Sequence, residues 1–257
     1  MADLETALRV RRDAGGRAFV PYVTGGLAGV DADLLRGIEA AGADAVEVGI
    51  PFSDPVMDGG VIQEASRLAL EGGTRPTDVL KTIQLADLAI PVVAMTYYNP
   101  VLRPGEDAFL EAASAADVQG VIVPDLPVDE AGDWIERCER RGVAPVFLAA
   151  PGSSTERLGS IAAAARGFVY CVATYGVTGE RQRLAETARE VVGALRLLTD
   201  VPLLVGVGVG TPEQAAQACT FADGVIVGSA IVRRLLEGDR DGALELTAGF
   251  REAIPRG

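Results

Sequence analysis

The sequence has 257 residues, 49% of them hydrophobic, and a net charge of −13 from 36 acidic and 23 basic side chains. A chain of this length and composition can bury one large core, so we expect a single domain spanning residues 1–257. The negative charge disfavours nucleic acid and anionic membranes as partners. No apolar run approaches a membrane span and residues 1–13 are charged, which predicts a soluble, cytoplasmic protein.

Two residue types are conspicuously scarce. The absence of histidine excludes His-based triads and His-ligated metals. The single lysine, Lys81, lies in a helical run where an exposed face is expected, which disfavours an imine-forming mechanism. Three scattered cysteines, Cys138, Cys171 and Cys219, are expected to be buried packing residues in a reducing compartment. Acid–base chemistry therefore falls to carboxylates, tyrosines or cysteines.

Short apolar segments alternate with helical segments along the whole chain. Strands are predicted at residues 18–24, 44–49, 91–97, 120–124, 143–149, 167–172, 202–206 and 224–228. Helices are predicted at residues 1–13, 31–41, 60–70, 77–89, 106–116, 129–141, 154–165, 180–198 and 212–219, with a last helical region from 229. This alternation predicts a parallel α/β structure, and its eight units favour a single-domain (β/α)8 TIM barrel with an extra N-terminal helix. A doubly wound sheet is the alternative.

One carboxylate, Glu47, interrupts the second apolar strand, and an acidic loop with Asp54 and Asp58 follows it. Near the carboxyl end of a barrel strand, such groups are placed to act as acid and base. A solvent-facing glutamate on an edge strand beside an acidic turn is the alternative, and spacing alone leaves both open.

Glycine-rich turns follow the seventh and eighth strands. Gly206, Gly208 and Gly210 precede Thr211-Pro-Glu-Gln214, whose spacing predicts a capped helix start. Gly228 and Ser229 stand at the next helix start. In barrels these two loops often bind a phosphate, and helix N-termini do so without basic side chains. Tight turns with ordinary caps are the alternative, but two such turns on adjacent strands favour a phosphate site.

Several motifs resemble those of one family, the tryptophan synthase alpha chain, over nearly the whole chain. They are FVPYVT (19–24), EVGIPFSDP (47–55) with DG (58–59), MTYYNP (95–100), VPDLP (123–127), GFVYC (167–171), GVTG (176–179) and GSA (228–230). The resemblance implies a (β/α)8 barrel that cleaves indole-3-glycerol phosphate to indole and glyceraldehyde 3-phosphate. It also implies an α2β2 complex in which the beta chain holds pyridoxal phosphate and this chain holds no cofactor or metal.

The resemblance also implies roles for individual residues. Glu47 matches the general acid/base, and Asp58 matches the carboxylate that contacts the indole N–H. Thr178 matches a residue of a loop that closes and hydrogen-bonds that aspartate. Phosphate contacts match Gly179, Gly208, Gly228 and Ser229, and pocket aromatics match Tyr22, Tyr97 and Tyr170. The sequence departs from the family pattern at Leu27, Ala28, Met57, Gly60, Val207, Thr174 and Tyr175.

The residue inventory agrees with this chemistry. Cleavage of the carbon–carbon bond needs an electron sink, and protonation of indole C3 provides one without lysine or metal. Glu47 and Asp58 would then supply proton transfer and charge stabilisation. Two other functions remain open on the sequence: a stand-alone indole-3-glycerol phosphate lyase, and a weakly active chain that serves mainly as an allosteric partner. For the three tyrosines, ordinary core packing is the alternative to ligand contact.

Overall fold

The computed structural model describes residues 3–172, 181–206 and 208–257, without the side chains of residues 181–185. Within these ranges, eight strands close into a barrel in the order β1 to β8. The strands are β1 (Ala18–Thr24), β2 (Val46–Gly49), β3 (Val92–Met95), β4 (Val118–Ile122), β5 (Ala144–Ala149), β6 (Val169–Val172), β7 (Leu203–Gly206) and β8 (Gly224–Val227).

The helices of the described ranges surround the strands. They are α1 (Leu4–Asp13), α2 (Ala32–Ala40), α3 (Gly60–Glu71), α4 (Pro76–Ala86), α5 (Tyr98–Leu102), α6 (Glu106–Ala115), α7 (Gly132–Arg141), α8 (Thr155–Ala164), α9 (Arg181–Arg196), α10 (Pro212–Ala218), α11 (Ser229–Leu236) and α12 (Arg240–Ala253), with a 3₁₀ turn at Val128–Glu130. None of these helices is long and apolar enough to cross a membrane.

Every pair of neighbouring strands is parallel, and β1 pairs with β8 through Ala18↔Gly224 and the three residues that follow. The predicted (β/α)8 barrel with its extra N-terminal helix is confirmed, and the doubly wound alternative is wrong. Closure leaves no exposed strand edge, because each backbone ladder has a neighbour on both sides. A glutamate on β2 therefore points either into the barrel or toward the helices.

Alternation along each strand divides the core into two layers. Val20, Ala45 and Val93 point inward and pack in the barrel interior with Leu4 and Leu8 of α1, which covers the amino-terminal end of the barrel. The outward-facing residues, such as Phe19, Val46 and Val48, pack against the surrounding helices. The interior is thus filled by side chains, as expected for a barrel of this size.

The amino-terminal end of the barrel is fastened by a buried ion pair. Asp44 accepts from Arg251 of α12 at 2.6 Å, from Arg11 of α1 at 2.5 Å and from the backbone N–H of Phe19 at 2.9 Å. Arg251, 2% exposed, also donates to the carbonyl oxygen of Ile254. One carboxylate therefore joins the first helix, the last helix and β1 on the side opposite the carboxyl ends of the strands.

Most predicted boundaries differ from the observed ones by one to three residues. Two departures from the prediction have an identifiable cause. We predicted the fourth strand at 120–124, but β4 begins at Val118, and its register against β3 shifts between Val92 and Val93. The shift leaves Gln119 as an extra residue, so the apolar run starts only after it. Helix α5 was not predicted, because it has five residues with a proline at its third position.

Candidate active site

Glu47 is placed by the alternation of β2. Its neighbours Val46 and Val48 face the helices, so Glu47 points into the barrel, where it pairs in register with Tyr22 on β1 and Val93 on β3. The side chain is 1% exposed, and Oε2 has no hydrogen-bond partner among the described residues. The alternative of a solvent-facing glutamate on an edge strand is wrong. A buried carboxyl oxygen without a protein partner is available to a ligand.

Asp58 reaches the same cavity from the loop between β2 and α3. Gln63, in the first turns of α3, donates from Nε2 to the Asp58 carbonyl oxygen at 2.9 Å and to that of Pro55 at 3.3 Å. The backbone N–H of Asp58 donates to the Pro55 carbonyl oxygen at 3.0 Å. These bonds fold the loop back over the barrel mouth, so the two carboxylates lie in one site although they are eleven positions apart in the sequence.

The cavity has a volume of about 270 Å³. Glu47, Asp58 and the hydroxyls of Tyr22, Tyr170 and Ser229 are the polar side-chain groups of its described lining. The rest of that lining is apolar side chain and glycine: Met57, Gly59, Ile62, Met95, Ile122, Pro124, Leu148, Val172, Gly208, Val209, Gly210, Ile226 and Gly228. An apolar cavity with a few convergent polar groups is typical of a site for an organic ligand.

The surroundings of Glu47 and Asp58 give their two carboxyl groups different pKa values. Burial, and then the negative charge of Asp58, raise the pKa of Glu47 to about 8. Burial raises the pKa of Asp58 to about 6, while a hydrogen bond from Tyr97 acts in the opposite direction. Near neutral pH the cavity therefore holds one protonated and one ionised carboxyl, an arrangement suited to general acid catalysis beside a fixed negative charge.

The loops after β7 and β8 also line the cavity. Ser229 begins α11 with Gly228 as its N-cap, and Thr211 caps α10 through the predicted capping box with Gln214. A Cβ at Gly228 would lie 3.3 Å from the Tyr22 ring, so this turn packs closely against the aromatic residue. Gly208 has a φ of +89°, a conformation that favours glycine. Both predicted helix starts are confirmed, and the turns that lead into them line the cavity at Gly208, Gly210 and Gly228.

The structure brings most of the predicted site residues together. Those that line the cavity are Tyr22, Glu47, Asp58, Tyr170, Gly208, Gly228 and Ser229. Tyr97 is 3% exposed and is not among the lining residues. Thr178 and Gly179 lie outside the described residues, as do Val207, Thr174 and Tyr175. The apolar lining, including Met95, Ile122 and Leu148, was not predicted, although inward-facing positions near the ends of adjacent strands would have indicated it.

The described residues contain no cluster of His, Cys, Asp and Glu side chains arranged to hold a metal ion. Lys81 is exposed on α4 and does not line the cavity, as its position in a helical run predicted. All three cysteines are buried and free, which confirms the packing role predicted for them.

The fold and site define a class of protein: a (β/α)8-barrel enzyme with a pair of buried carboxylates facing two glycine-rich helix starts. Within that class, the family model described as tryptophan synthase alpha chain matches residues 8–251. The chain belongs to the tryptophan synthase alpha chain family, which confirms the identification made from the motifs.

Similar proteins agree with this assignment. The chain is 43% identical to the tryptophan synthase alpha chain of Streptomyces avermitilis, with 99% of this chain and 94% of that protein covered. It is 44% identical to the alpha chain of Mycobacterium avium, with 94% and 92% covered. Among solved structures, it resembles a chain of Mycobacterium tuberculosis tryptophan synthase with a TM-score of 0.91, 40% identity and coverage of 99% and 98%.

Proposed function

We propose that this chain is a carbon–carbon lyase that cleaves indole-3-glycerol phosphate to indole and glyceraldehyde 3-phosphate, a step of L-tryptophan biosynthesis. The observation that carries the proposal is the pair Glu47 and Asp58 in one apolar cavity, with acidities separated by their surroundings. Family membership supports the substrate, because the family consists of lyases acting on indole-3-glycerol phosphate.

Glu47 acts as the general acid and base. Its protonated carboxyl delivers a proton to indole C3, and the resulting indolenine accepts the electrons of the breaking carbon–carbon bond. The Glu47 carboxylate then takes the proton of the glycerol hydroxyl as that carbon becomes an aldehyde, which restores the starting state. A carboxyl whose pKa is raised to about 8 holds the required proton at neutral pH.

Asp58 stabilises the charge that forms on the ring. Protonation at C3 places positive charge on the indole nitrogen, and a fixed carboxylate in a largely apolar cavity stabilises that charge strongly. Asp58 remains ionised at neutral pH because its pKa lies near 6. The apolar lining around it, including Met95 and Leu148, provides the contact surface for an indole ring.

The phosphate end of the substrate binds at the glycine-rich turns. Gly228 and Ser229, at the start of α11, line the cavity that holds Glu47. Backbone donors at a helix N-terminus bind a phosphate without any basic side chain, which suits a chain with a net charge of −13. Gly208 and Tyr170 complete this side of the site, and Thr178 and Gly179 are proposed to close it.

We further propose that the chain works with a tryptophan synthase beta chain in a cytoplasmic α2β2 heterotetramer, in which the beta chain alone holds pyridoxal phosphate. The solved structures that it resembles include chains described as tryptophan synthase of Mycobacterium tuberculosis. The carboxylate chemistry described above needs no cofactor in this chain.

The direct test is indole release from indole-3-glycerol phosphate by the purified chain, with and without a purified beta chain. We expect slow release that the beta chain accelerates, and loss of release in Glu47→Gln. Glu252→Gln is the matched control, because Glu252 is exposed on α12. Fast release without stimulation would make the chain a stand-alone lyase, and no release under either condition would overturn the substrate.

A further inference from the structure

Tyr97 lies beside the cavity and faces the loop that carries Asp58. It directly precedes α5, and its ring stacks on Phe52 at the start of that loop, with centroids 5.1 Å apart and planes inclined by 26°. The ring is buried, and it does not line the cavity. Its environment therefore suits a role in holding the loop better than contact with a ligand.

The Tyr97 hydroxyl holds the loop at the residue before Asp58. It accepts from the backbone N–H of Met57 at 3.0 Å. The phenol also lowers the pKa of the Asp58 carboxyl, as a hydrogen-bond donor beside a carboxylate does. Gln63 donates to the Asp58 carbonyl oxygen at 2.9 Å. The backbone at Met57 and Asp58 is thus held both by Tyr97 and by α3.

We propose that Tyr97 is a positioning residue for Asp58: by holding the loop at Met57 and stacking on Phe52, it keeps the neighbouring Asp58 carboxylate directed at the indole nitrogen. This inference rests on the proposed function, since it assigns Asp58 a partner atom in the substrate. It differs from the role that the sequence motifs implied for Tyr97, which was direct contact with the ligand.

The groups around Asp58 show why a donor such as the Tyr97 hydroxyl matters for its carboxylate. Glu47 faces Asp58 from β2, and Tyr22 faces both carboxylates from β1 with its hydroxyl 3.3 Å from that of Thr24. The negative charge of Asp125, in the loop after β4, helps to raise the pKa of the Tyr97 hydroxyl. Burial raises the pKa of Asp58, and the Tyr97 hydroxyl is the described group that opposes this rise.

Tyr97→Phe tests the proposal by removing one oxygen and keeping the ring that stacks on Phe52. The matched control is Tyr98→Phe, because the neighbouring Tyr98 donates to Glu106 at 2.8 Å and does not line the cavity. Two quantities would be measured for the full chain. One is the pH titration of the Asp58 carboxyl carbon by NMR, assigned by comparison with Asp58→Asn. The other is the pH profile of indole release, resolved into kcat and KM.

We expect the pKa of Asp58 to rise by about one unit in Tyr97→Phe, since a hydrogen bond to an ionised group typically contributes that much or more. The acid limb of the kcat/KM profile should move by the same amount. At neutral pH kcat should fall about 10-fold with KM little changed, because Asp58 faces a charge that forms only in the transition state. Tyr98→Phe should leave both quantities unchanged.

Other results would overturn the inference. An unchanged Asp58 titration in Tyr97→Phe would show that the hydroxyl does not stabilise the carboxylate. A higher KM with unchanged kcat would make Tyr97 a substrate-binding residue. If the unaltered chain released no indole, the proposed function would fail, and the NMR titration would still decide whether Tyr97 controls Asp58.

Discussion

Replacing Glu47 with glutamine should abolish activity and also stabilise the fold. Glutamine has nearly the same shape as a protonated glutamate but cannot ionise. The pKa of Glu47 rises from its ordinary value of 4.5 to about 8 on burial, so ionising it costs the folded state free energy that the unfolded chain does not lose. A glutamine side chain has no proton to release, so the folded variant loses no free energy in this way at any pH.

The sign and size follow from proton linkage. Below pH 4.5 the carboxyl is protonated in both the folded and the unfolded state. The free energy of unfolding is then at its full value, because the group loses nothing on burial as a charge. Between 4.5 and 8 the unfolded chain releases its proton while the folded chain retains it, so stability falls by about 1.4 kcal/mol per pH unit. The loss is about 3 kcal/mol at pH 7 and approaches 5 kcal/mol above pH 8. Relative to the unaltered chain, Glu47→Gln should gain these amounts.

The assay is urea unfolding followed by circular dichroism at pH 5, 7 and 8.5, together with indole release. We expect similar midpoints at pH 5, a growing advantage for Glu47→Gln at higher pH, and a loss of at least about 100-fold in kcat. Exposed Glu252→Gln controls for the general loss of a negative charge and should show no pH-dependent difference. Equal or lower stability of Glu47→Gln at pH 8.5 would refute the reasoning, since it would mean that the buried carboxyl ionises without cost.

Three further substitutions probe the site and the fold. Asp58→Asn should lower kcat by about 100-fold or more at neutral pH with the fold intact, as measured by indole release and circular dichroism. Asp44→Ala should destabilise the chain by about 3–5 kcal/mol in urea unfolding, because it leaves the buried guanidinium of Arg251 without its ion pair. Gly206→Ala should raise KM about 10-fold, because a Cβ there would lie 2.1 Å from the Tyr170 hydroxyl and displace a cavity residue.

Each of these has its own check. Gly210→Ala is the control for Gly206→Ala, since its nearest contact would be 3.5 Å from the Gln214 side chain. Equal KM values for the two glycine variants would contradict the crowding argument. Near-normal turnover by Asp58→Asn would remove Asp58 from the mechanism, and an unfolding midpoint unaltered by Asp44→Ala would show that Arg251 finds another anion.

The barrel was predictable from the sequence because its strands are short, apolar and regularly spaced between amphipathic helices. That regularity fails where one residue departs from the pattern. Gln119 adds a residue to β4 and moves the strand two positions from where the apolar run indicated. Helix α5 is too short to show a period, and its start is fixed from outside by Asp125, whose carboxylate accepts from the backbone N–H of Tyr98 at 2.9 Å.

The site was predictable in part, for a different reason. Glu47 is an isolated carboxylate in a buried strand, so alternation alone restricts where it points. Asp58 lies in a loop without periodicity. That loop is held by Tyr97, which is distant in the sequence and bonds the Met57 N–H, and by Gln63, which bonds the Asp58 carbonyl oxygen. The positioning role proposed for Tyr97 could not be read from the motif, because a strand pattern does not say which way a side chain turns after the strand has ended.

Helix α1 is the first helix in the chain, yet its partners come much later. A Cβ at Gly120 or at Gly167 would lie within 3 Å of Leu4, and the Glu5 carboxylate accepts from the Gly167 N–H at 3.0 Å. Arg12 of the same helix donates to the Asp200 carbonyl oxygen at 2.8 Å. During synthesis at the ribosome, α1 cannot pack against these partners until most of the chain has been made.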